Sequence, residues 1–205
     1  MVAKWYAANT GKSRDEFVQL ARRVAGLLPG DASVLEVAPG PGYFCIELAK
    51  LGSFSLTGMD ISRTFVEMAG RNAAEAGVQA NFRQGNASSM PFAAGSFDFL
   101  LCRAAFKNFA QPVTALREMY RVLKPGGRGL IIDLRHDATL AAINRHVDGM
   151  GLNAMDRIMT KLAFRFSLLK TAYTKEQFSH MLAQTAFQTV DIREDDMGFE
   201  IWMTK

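Results

Sequence analysis

The stretch Val34-Leu35-Glu36-Val37-Ala38-Pro39-Gly40-Pro41-Gly42-Tyr43-Phe44 limits the possible folds more than any other part of the chain. Its apolar, β-branched start reads as a buried strand. Proline and glycine then alternate, which forces a sharp turn. Tyr43 to Leu51 follows with apolar residues at helical spacing. Strand, glycine turn and helix together form the entry to a nucleotide-type site. Glycine has no Cβ, so a ligand can lie against the main chain, and the helix start offers free N–H groups and a positive dipole end. Glu36 is the exception in an otherwise apolar strand, and a carboxylate there needs a partner because an unpaired buried charge is costly. On its own, the turn is also compatible with a plain tight loop.

A dinucleotide-binding turn wants G-x-G-x-x-G. Counted from Gly40, the third glycine falls on Cys45, which weighs against NAD or FAD. Instead, Glu36, Ala38, Gly40 and Gly42 resemble the first motif of the class I S-adenosyl-L-methionine (AdoMet) methyltransferases, an acid followed by small-x-Gly-x-Gly, with Ala38 in place of the first glycine. Phe54 to Asp60 reads as a second strand, and Asp60 lies eighteen residues after Gly42, where an acid can accept hydrogen bonds from both ribose hydroxyls. The competing reading of Asp60 is a helix N-terminal acid favoured by the dipole, although Ser62 is already a good cap. The resemblance places Ile61 against adenine. Gly85-Asn86-Ala87 stands where the family commonly has Gly-Asp-Ala, and Asn86 can accept from the adenine amino group through its neutral carbonyl. Leu123-Lys124-Pro125-Gly126-Gly127 before an apolar strand is a second family signature. The similarity runs through residues 33–134 and looks most like the group containing ubiquinone and menaquinone biosynthesis methyltransferases.

The 205 residues, 49% of them apolar, suit one α/β domain. The expected fold is a Rossmann-like, seven-stranded, mostly parallel sheet with an antiparallel last strand and helices on both faces. Helices are expected over 13–28, 62–76, 112–123, 153–169 and 174–183. The first starts with a Ser13/Glu16 capping-box pattern and the last with Thr174/Gln177. Further strands are expected over 78–83, 97–102, 128–134, 187–194 and 198–204. The last two are joined so closely that an antiparallel pairing is natural.

Ligands of open parallel sheets bind beyond the carboxyl ends of the strands. Arg103, Phe106, Lys107 and Asn108, after the fourth strand, are therefore expected to face the methyl donor or its acceptor. The resemblance makes Glu36, Ala38, Pro39, Gly40, Gly42, Asp60, Ile61, Asn86, Ala87 and Arg103 the candidate cofactor residues, with Glu36 near the donor's amino group. Tyr6, Phe106, Lys107, Asn108, His136 and Tyr173 are candidates for the acceptor. Many relatives carry a histidine after the fourth strand and this chain does not, so no catalytic base is assigned. Tyr6, Lys107, Asp133, His136 and Tyr173 are the titratable candidates, and an ion pair of Asp133 with Arg135 and His136 closing the strand end is the plainer reading of those three.

Residues 1–30 are expected to form an N-terminal segment and helix that lid the cofactor, with Lys4 and Tyr6 as contacts, or else Trp5 and Tyr6 pack as a hydrophobic staple. Residues 136–171 read as a helical insertion split by Gly149-Met150-Gly151. Its Met- and Phe-rich second helix, with Arg157, Lys161 and Arg165 four apart on one face, suits a substrate lid, a core hairpin or a membrane-surface helix.

The net charge of +4 permits an anionic ligand without announcing nucleic acid. Cys45 and Cys102 lack metal-ligand spacing and read as free buried thiols, and no metal is expected. No signal peptide or membrane-spanning run is recognisable, so a cytoplasmic location is expected. The expectation is methyl transfer from AdoMet, giving S-adenosyl-L-homocysteine, to a small-molecule acceptor. The alternatives are an RNA methyltransferase, an aminopropyl transferase using decarboxylated AdoMet, a non-catalytic AdoMet-binding module and a nicotinamide-dependent oxidoreductase. Oligomeric state is not legible.

Overall fold

The computed structural model describes residues 14–205. Seven strands form one sheet in the order β3-β2-β1-β4-β5-β7-β6. They are β1 (Ser33–Val37), β2 (Ser55–Asp60), β3 (Asn81–Gln84), β4 (Phe97–Arg103), β5 (Leu123–Leu134), β6 (Thr189–Glu194) and β7 (Gly198–Thr204). β1 to β5 are mutually parallel, and β7 lies between β5 and β6, antiparallel to both. The helices are α1 (Arg14–Ala25), α2 (Tyr43–Ala49), α3 (Arg63–Glu75), α4 (Pro112–Val122), α5 (Leu140–Asp148), α6 (Ala154–Ala163) and α7 (Lys175–Leu182). The expected mostly parallel sheet with an antiparallel member at its C-terminal end is therefore present.

Side chains alternate across the strands, so each strand feeds two cores. Leu35, Val37, Leu100, Cys102 and Ile131 pack with Leu116, Met119 and Val122 of α4 and Phe178 and Leu182 of α7. Val34, Phe99, Leu101 and Leu130 pack on the other face with Phe17, Leu20 and Val24 of α1 and Phe44 and Leu48 of α2. A third cluster joins Ala142, Ile143 and Val147 of α5 to Phe164, Leu169 and Met197.

Several boundaries depart from the sequence reading. β5 begins at Leu123 rather than 128, because Leu123 already pairs with Phe97 and a register shift carries the Lys-Pro-Gly-Gly turn inside the strand. The expected helix over 153–169 is α6 followed by a π-turn, Phe164–Leu168. Ser62 caps α3 by accepting from the Phe65 N–H at 3.4 Å, and Thr174 and Gln177 form a complete capping box on α7. Ser13 lies outside the described residues. Both cysteines are buried and free. Among the described residues no helix is long and apolar enough to cross a membrane, and no group of side chains could hold a metal ion.

The 136–171 insertion corrects the core reading of its second helix: no residue of α6 is buried. None of residues 136–171 lines the cleft at the strand ends either. Asp133 does not pair with Arg135 or His136. Arg135 binds Asp137 at 2.7 Å and Glu194 at 3.1 Å, while Asp133 binds Lys107.

Candidate active site

A cleft of about 430 Å³ opens at the carboxyl ends of β1, β2 and β4. The turn after β1 forms one wall. Ala38, Gly40 and Gly42 all have left-handed backbones, with φ of 57°, 53° and 80°. The small-x-Gly-x-Gly spacing thus has a backbone cause: each small residue stands where a side chain is strained. The turn is pinned by Ala38 N donating to Met59 O at 2.8 Å, Gly42 N to Pro39 O at 3.0 Å and Asn72 Nδ2 to Pro41 O at 2.9 Å.

Gly42 does not line the cleft. A Cβ there would sit 2.9 Å from both the Ala69 Cβ and the Phe82 ring, so its bareness lets α2 approach α3 and β3. Gly58 of β2 lies under the same ring, which a Cβ would meet at 2.5 Å.

Glu36 points to the α1/α2 face of the sheet by the alternation that puts Leu35 and Val37 on the other. There its Oε2 accepts from the Cys45 N–H at 3.3 Å. Cys45 is the third helical residue of α2, whose N-cap Gly42 has no side chain to offer. Glu36 therefore caps the helix from the neighbouring strand. It also lines the cleft. Burial pushes its carboxyl up to about 7, against the opposing pull of the Cys45 hydrogen bonds and the Arg103 charge. Burial together with the Glu36 charge pushes the Cys45 thiol up as well.

Asp60 ends β2 on the same cleft, with Oδ2 accepting from Gly40 N at 3.2 Å and Oδ1 from Ser62 N at 2.8 Å. One carboxylate thus ties the β1 turn to the start of α3. Its pKa is raised by burial, and the Ser62, Gly40 and Ile61 N–H groups oppose that shift. With three N–H donors on about four lone-pair sites, the carboxylate keeps room for a ligand hydroxyl. Ile61 is 70% exposed and lines the cleft with Met59 and Phe65. Asn86 and Ala87 line it too, and the Asn86 Oδ1 accepts from Ser88 N at 2.9 Å in a local turn, leaving one lone pair.

β4 supplies the opposite wall through Arg103, Ala104, Ala105 and Asn108. Arg103 pairs with Glu16 and stacks 4.5 Å from the Phe17 ring centroid, which brings α1 to the cleft mouth. Phe17 was not singled out in the sequence as a site residue. Its place in an amphipathic helix marks it only as core. Ala104, at φ 56°, is a second left-handed alanine.

Four acceptor candidates sit elsewhere. Phe106 is fully buried, with its ring 4.9 Å from Phe178 and 6.0 Å from Tyr173, because the short helix Phe106–Asn108 turns it under the sheet end. Lys107 is buried in its ion pair with Asp133, and its Nζ also donates to Ala104 O at 2.9 Å. The His136 Nδ1 lies 2.8 Å from Leu169 O. Tyr173 packs edge-on against Phe178. Of that set only Asn108 reaches the cleft, and Lys4, Trp5 and Tyr6 lie outside the described residues. Glu36, Asp60 and Arg103 are the only titratable side chains among the described residues that line it.

Comparison with known proteins bears on what fills the cleft. Residues 35–131 match the family model described as a methyltransferase domain. A demethylmenaquinone methyltransferase of Deinococcus radiodurans is 36% identical over 101 residues, which are 49% of this chain and 42% of that protein. The chain spans about half the length of the curated relatives it matches. A Methanococcus maripaludis chain, provisionally named an S-adenosyl-L-methionine-dependent methyltransferase, superposes with a TM-score of 0.76 at 23% identity, covering 99% of this chain and 91% of that one. The [4+2]-cyclase SpnF superposes with a TM-score of 0.61 at 20% identity, covering 92% and 80%. At such identities these two likenesses establish the fold alone.

Proposed function

We propose that this chain, which belongs to the class I S-adenosyl-L-methionine-dependent methyltransferases, transfers a methyl group to a small organic acceptor with an apolar portion. One observation carries the reading. Two buried carboxylates, Glu36 and Asp60, come from adjacent strand ends to a single cleft beside a left-handed, side-chain-poor turn.

That combination fits the cofactor. A cationic amino-acid tail needs an acid and bare main chain, a ribose needs a carboxylate, and an adenine needs an apolar surface with one polar acceptor. Glu36 and the Ala38–Gly40 backbone suit the first, Asp60 the second, and Ile61, Asn86 and Ala87 the third. Bound there, AdoMet supplies a methyl carbon already made electrophilic by its sulfonium, so the protein's task is positioning and water exclusion. Asp60 holds the sugar and, through Gly40 and Ser62, the two loops that flank it. Arg103, Ala104, Ala105 and Phe109 form the wall against which the acceptor lies. Lys107 and Asp133 bind one another beneath that wall and do not line the cleft. The cleft's two carboxylates, Glu36 and Asp60, are engaged by the donor in this reading, so the acceptor brings its own ionisable or nucleophilic atom.

A small acceptor is favoured over RNA because the basic stripe of α6 is partly neutralised, with Lys161 Nζ 2.8 Å and Arg157 Nε 3.8 Å from Asp148. The test is calorimetric titration with AdoMet and S-adenosylhomocysteine, followed by transfer of labelled methyl to demethylmenaquinone, the compound in the name of the Deinococcus relative, to simple phenols and to fractions of a cell extract. Saturable binding with label in an organic acceptor is the expected result. Binding without transfer to any extract fraction would make the chain a sensor, and no binding would overturn the reading.

A further inference from the structure

The insertion between β5 and α7 is anchored on one side and bare on the other. Its anchors are Ala142, Ile143 and Val147 of α5 with Phe164 and Leu169, which form a small core with Met197. α6 rides outside this core and buries nothing. Met155 is 74% exposed, Met159 61% and Ile158 60%, and Leu162 and Phe166 are also exposed. At 3.6 residues per turn these five fall within an arc of about 100°, and Phe164 falls on the opposite side. The anchor therefore fixes the apolar stripe outward. A contiguous apolar face turned to water marks a contact surface.

Charge identifies the occupant. Residues 140–170 carry Arg145, Arg157, Lys161, Arg165 and Lys170 against Asp148 and Asp156, so three of the chain's four net positive charges lie in this segment. Arg157 and Lys161 pair with Asp148 and Arg145 pairs with Asp196, which leaves Arg165 and Lys170 beside the stripe as the cations of this segment without an ion pair among the described residues. A second copy of the chain docking stripe to stripe would bring two such segments together, and like-charge juxtaposition opposes it. An anionic lipid surface meets both features at once: apolar side chains enter the headgroup boundary while the flanking cations meet lipid phosphates.

We infer that α6 and the π-turn after it form an interfacial docking helix for anionic lipid bilayers. The inference does not depend on the proposed methyl transfer, because its test reads lipid binding without turnover.

The experiment is sedimentation of the full chain with vesicles of phosphatidylcholine alone and of phosphatidylcholine with 30 mole per cent phosphatidylglycerol, at low and physiological salt. Binding at least tenfold stronger to the anionic vesicles, weakened by salt, is expected. Ile158→Ser/Phe166→Ser removes apolar contact at exposed positions and should abolish it. Arg165→Glu/Lys170→Glu should weaken it by about fivefold or more for each cation lost. Circular dichroism melts confirm that the variants fold. Equal binding to both vesicle types, absence of binding, or binding unchanged in the Ile158→Ser/Phe166→Ser variant would each overturn the inference. So would a concentration-dependent dimer that the same substitutions dissolve, since the stripe would then belong to a second copy.

Discussion

Asp133 grips Lys107 twice: its Oδ1 lies 2.8 Å from the Lys107 Nζ and its Oδ2 accepts from the Lys107 main-chain N–H at 2.9 Å. Both side chains are buried, and the Leu134 N–H also donates to Oδ1 at 2.8 Å. Removing one member leaves a buried charge without its partner, which costs about 3–5 kcal/mol. Lys107→Met should therefore lower unfolding stability in urea by that amount. Adding Asp133→Asn should recover part of the loss, because the leftover charge goes while an acceptor stays. Losses that simply add would show that the two residues act independently.

Glu36 imposes a pH dependence whose sign runs against the usual carboxylate. Its folded pKa of about 7 lies above the ordinary value of 4.5, so the folded state holds a proton that the unfolded state has released in between. Stability from this group is intact below the ordinary pKa and falls as pH rises from there to about 7, by roughly 3 kcal/mol in all. Denaturant melts across that window should show the decline, and Glu36→Gln, which keeps an acceptor for the Cys45 N–H, should flatten it.

The same proton reports on the cofactor. A cationic group placed beside Glu36 favours its charged form, so at pH 6 the binding of AdoMet should release up to one proton. Calorimetry at pH 6 in two buffers of different ionisation enthalpy measures that release directly. It should vanish in Glu36→Gln, and affinity should rise with pH until about 7.

Asp60→Asn should weaken AdoMet by about tenfold or more, since a hydrogen bond to a charged acceptor is worth about 1.5–3 kcal/mol. The fold should suffer less, because the asparagine oxygen still accepts from Gly40 or Ser62. Titration calorimetry and a thermal melt separate the two effects, and a variant equally destabilised but with unchanged affinity would restrict Asp60 to holding loops.

Gly42→Ala tests the packing role of the turn's last glycine. At φ 80°, and with a Cβ 2.9 Å from Ala69 and Phe82, alanine should cost about 1–3 kcal/mol. Phe82→Ala in the same background should relieve part of the clash, as a double-mutant cycle would show.

The sheet was legible because its central strands β1 and β4 and the second half of β5 are largely apolar and its helices carry caps and period. Ser62 and Thr174 act as their sequence context predicts. The cleft wall from β1 and β2 was legible for the same reason, since a left-handed turn leaves its mark directly as Ala38, Gly40 and Gly42. The wall after β4 was not. Whether Phe106 and Lys107 face a ligand or the core is decided by one short helix, and by a lysine whose partner, Asp133, is twenty-six residues away. No local pattern encodes that pairing. Nor does periodicity tell which side of an amphipathic helix meets protein, so the core alternative for α6 failed, and the helix ends at Ala163 rather than at 169. Glu36 was recognisable as a buried acid, but its use as a cap for α2 required the register of β1.

The placement of β7 between β5 and β6 has a consequence for synthesis. β5 pairs with β4 on one side and waits for residues 198–204 on the other. While the ribosome is still adding the insertion and α7, β5 presents an unpaired apolar edge, the kind of surface on which nascent chains cross-associate. Closure comes only when the hairpin of β6 and β7 emerges and threads its second strand into the gap, where Lys205 also exchanges main-chain hydrogen bonds with Gly126 and Gly127. Translation pauses placed within α7, when β5 has left the ribosome and β7 has not been made, should therefore lower the yield of native protein more than pauses placed after Val37.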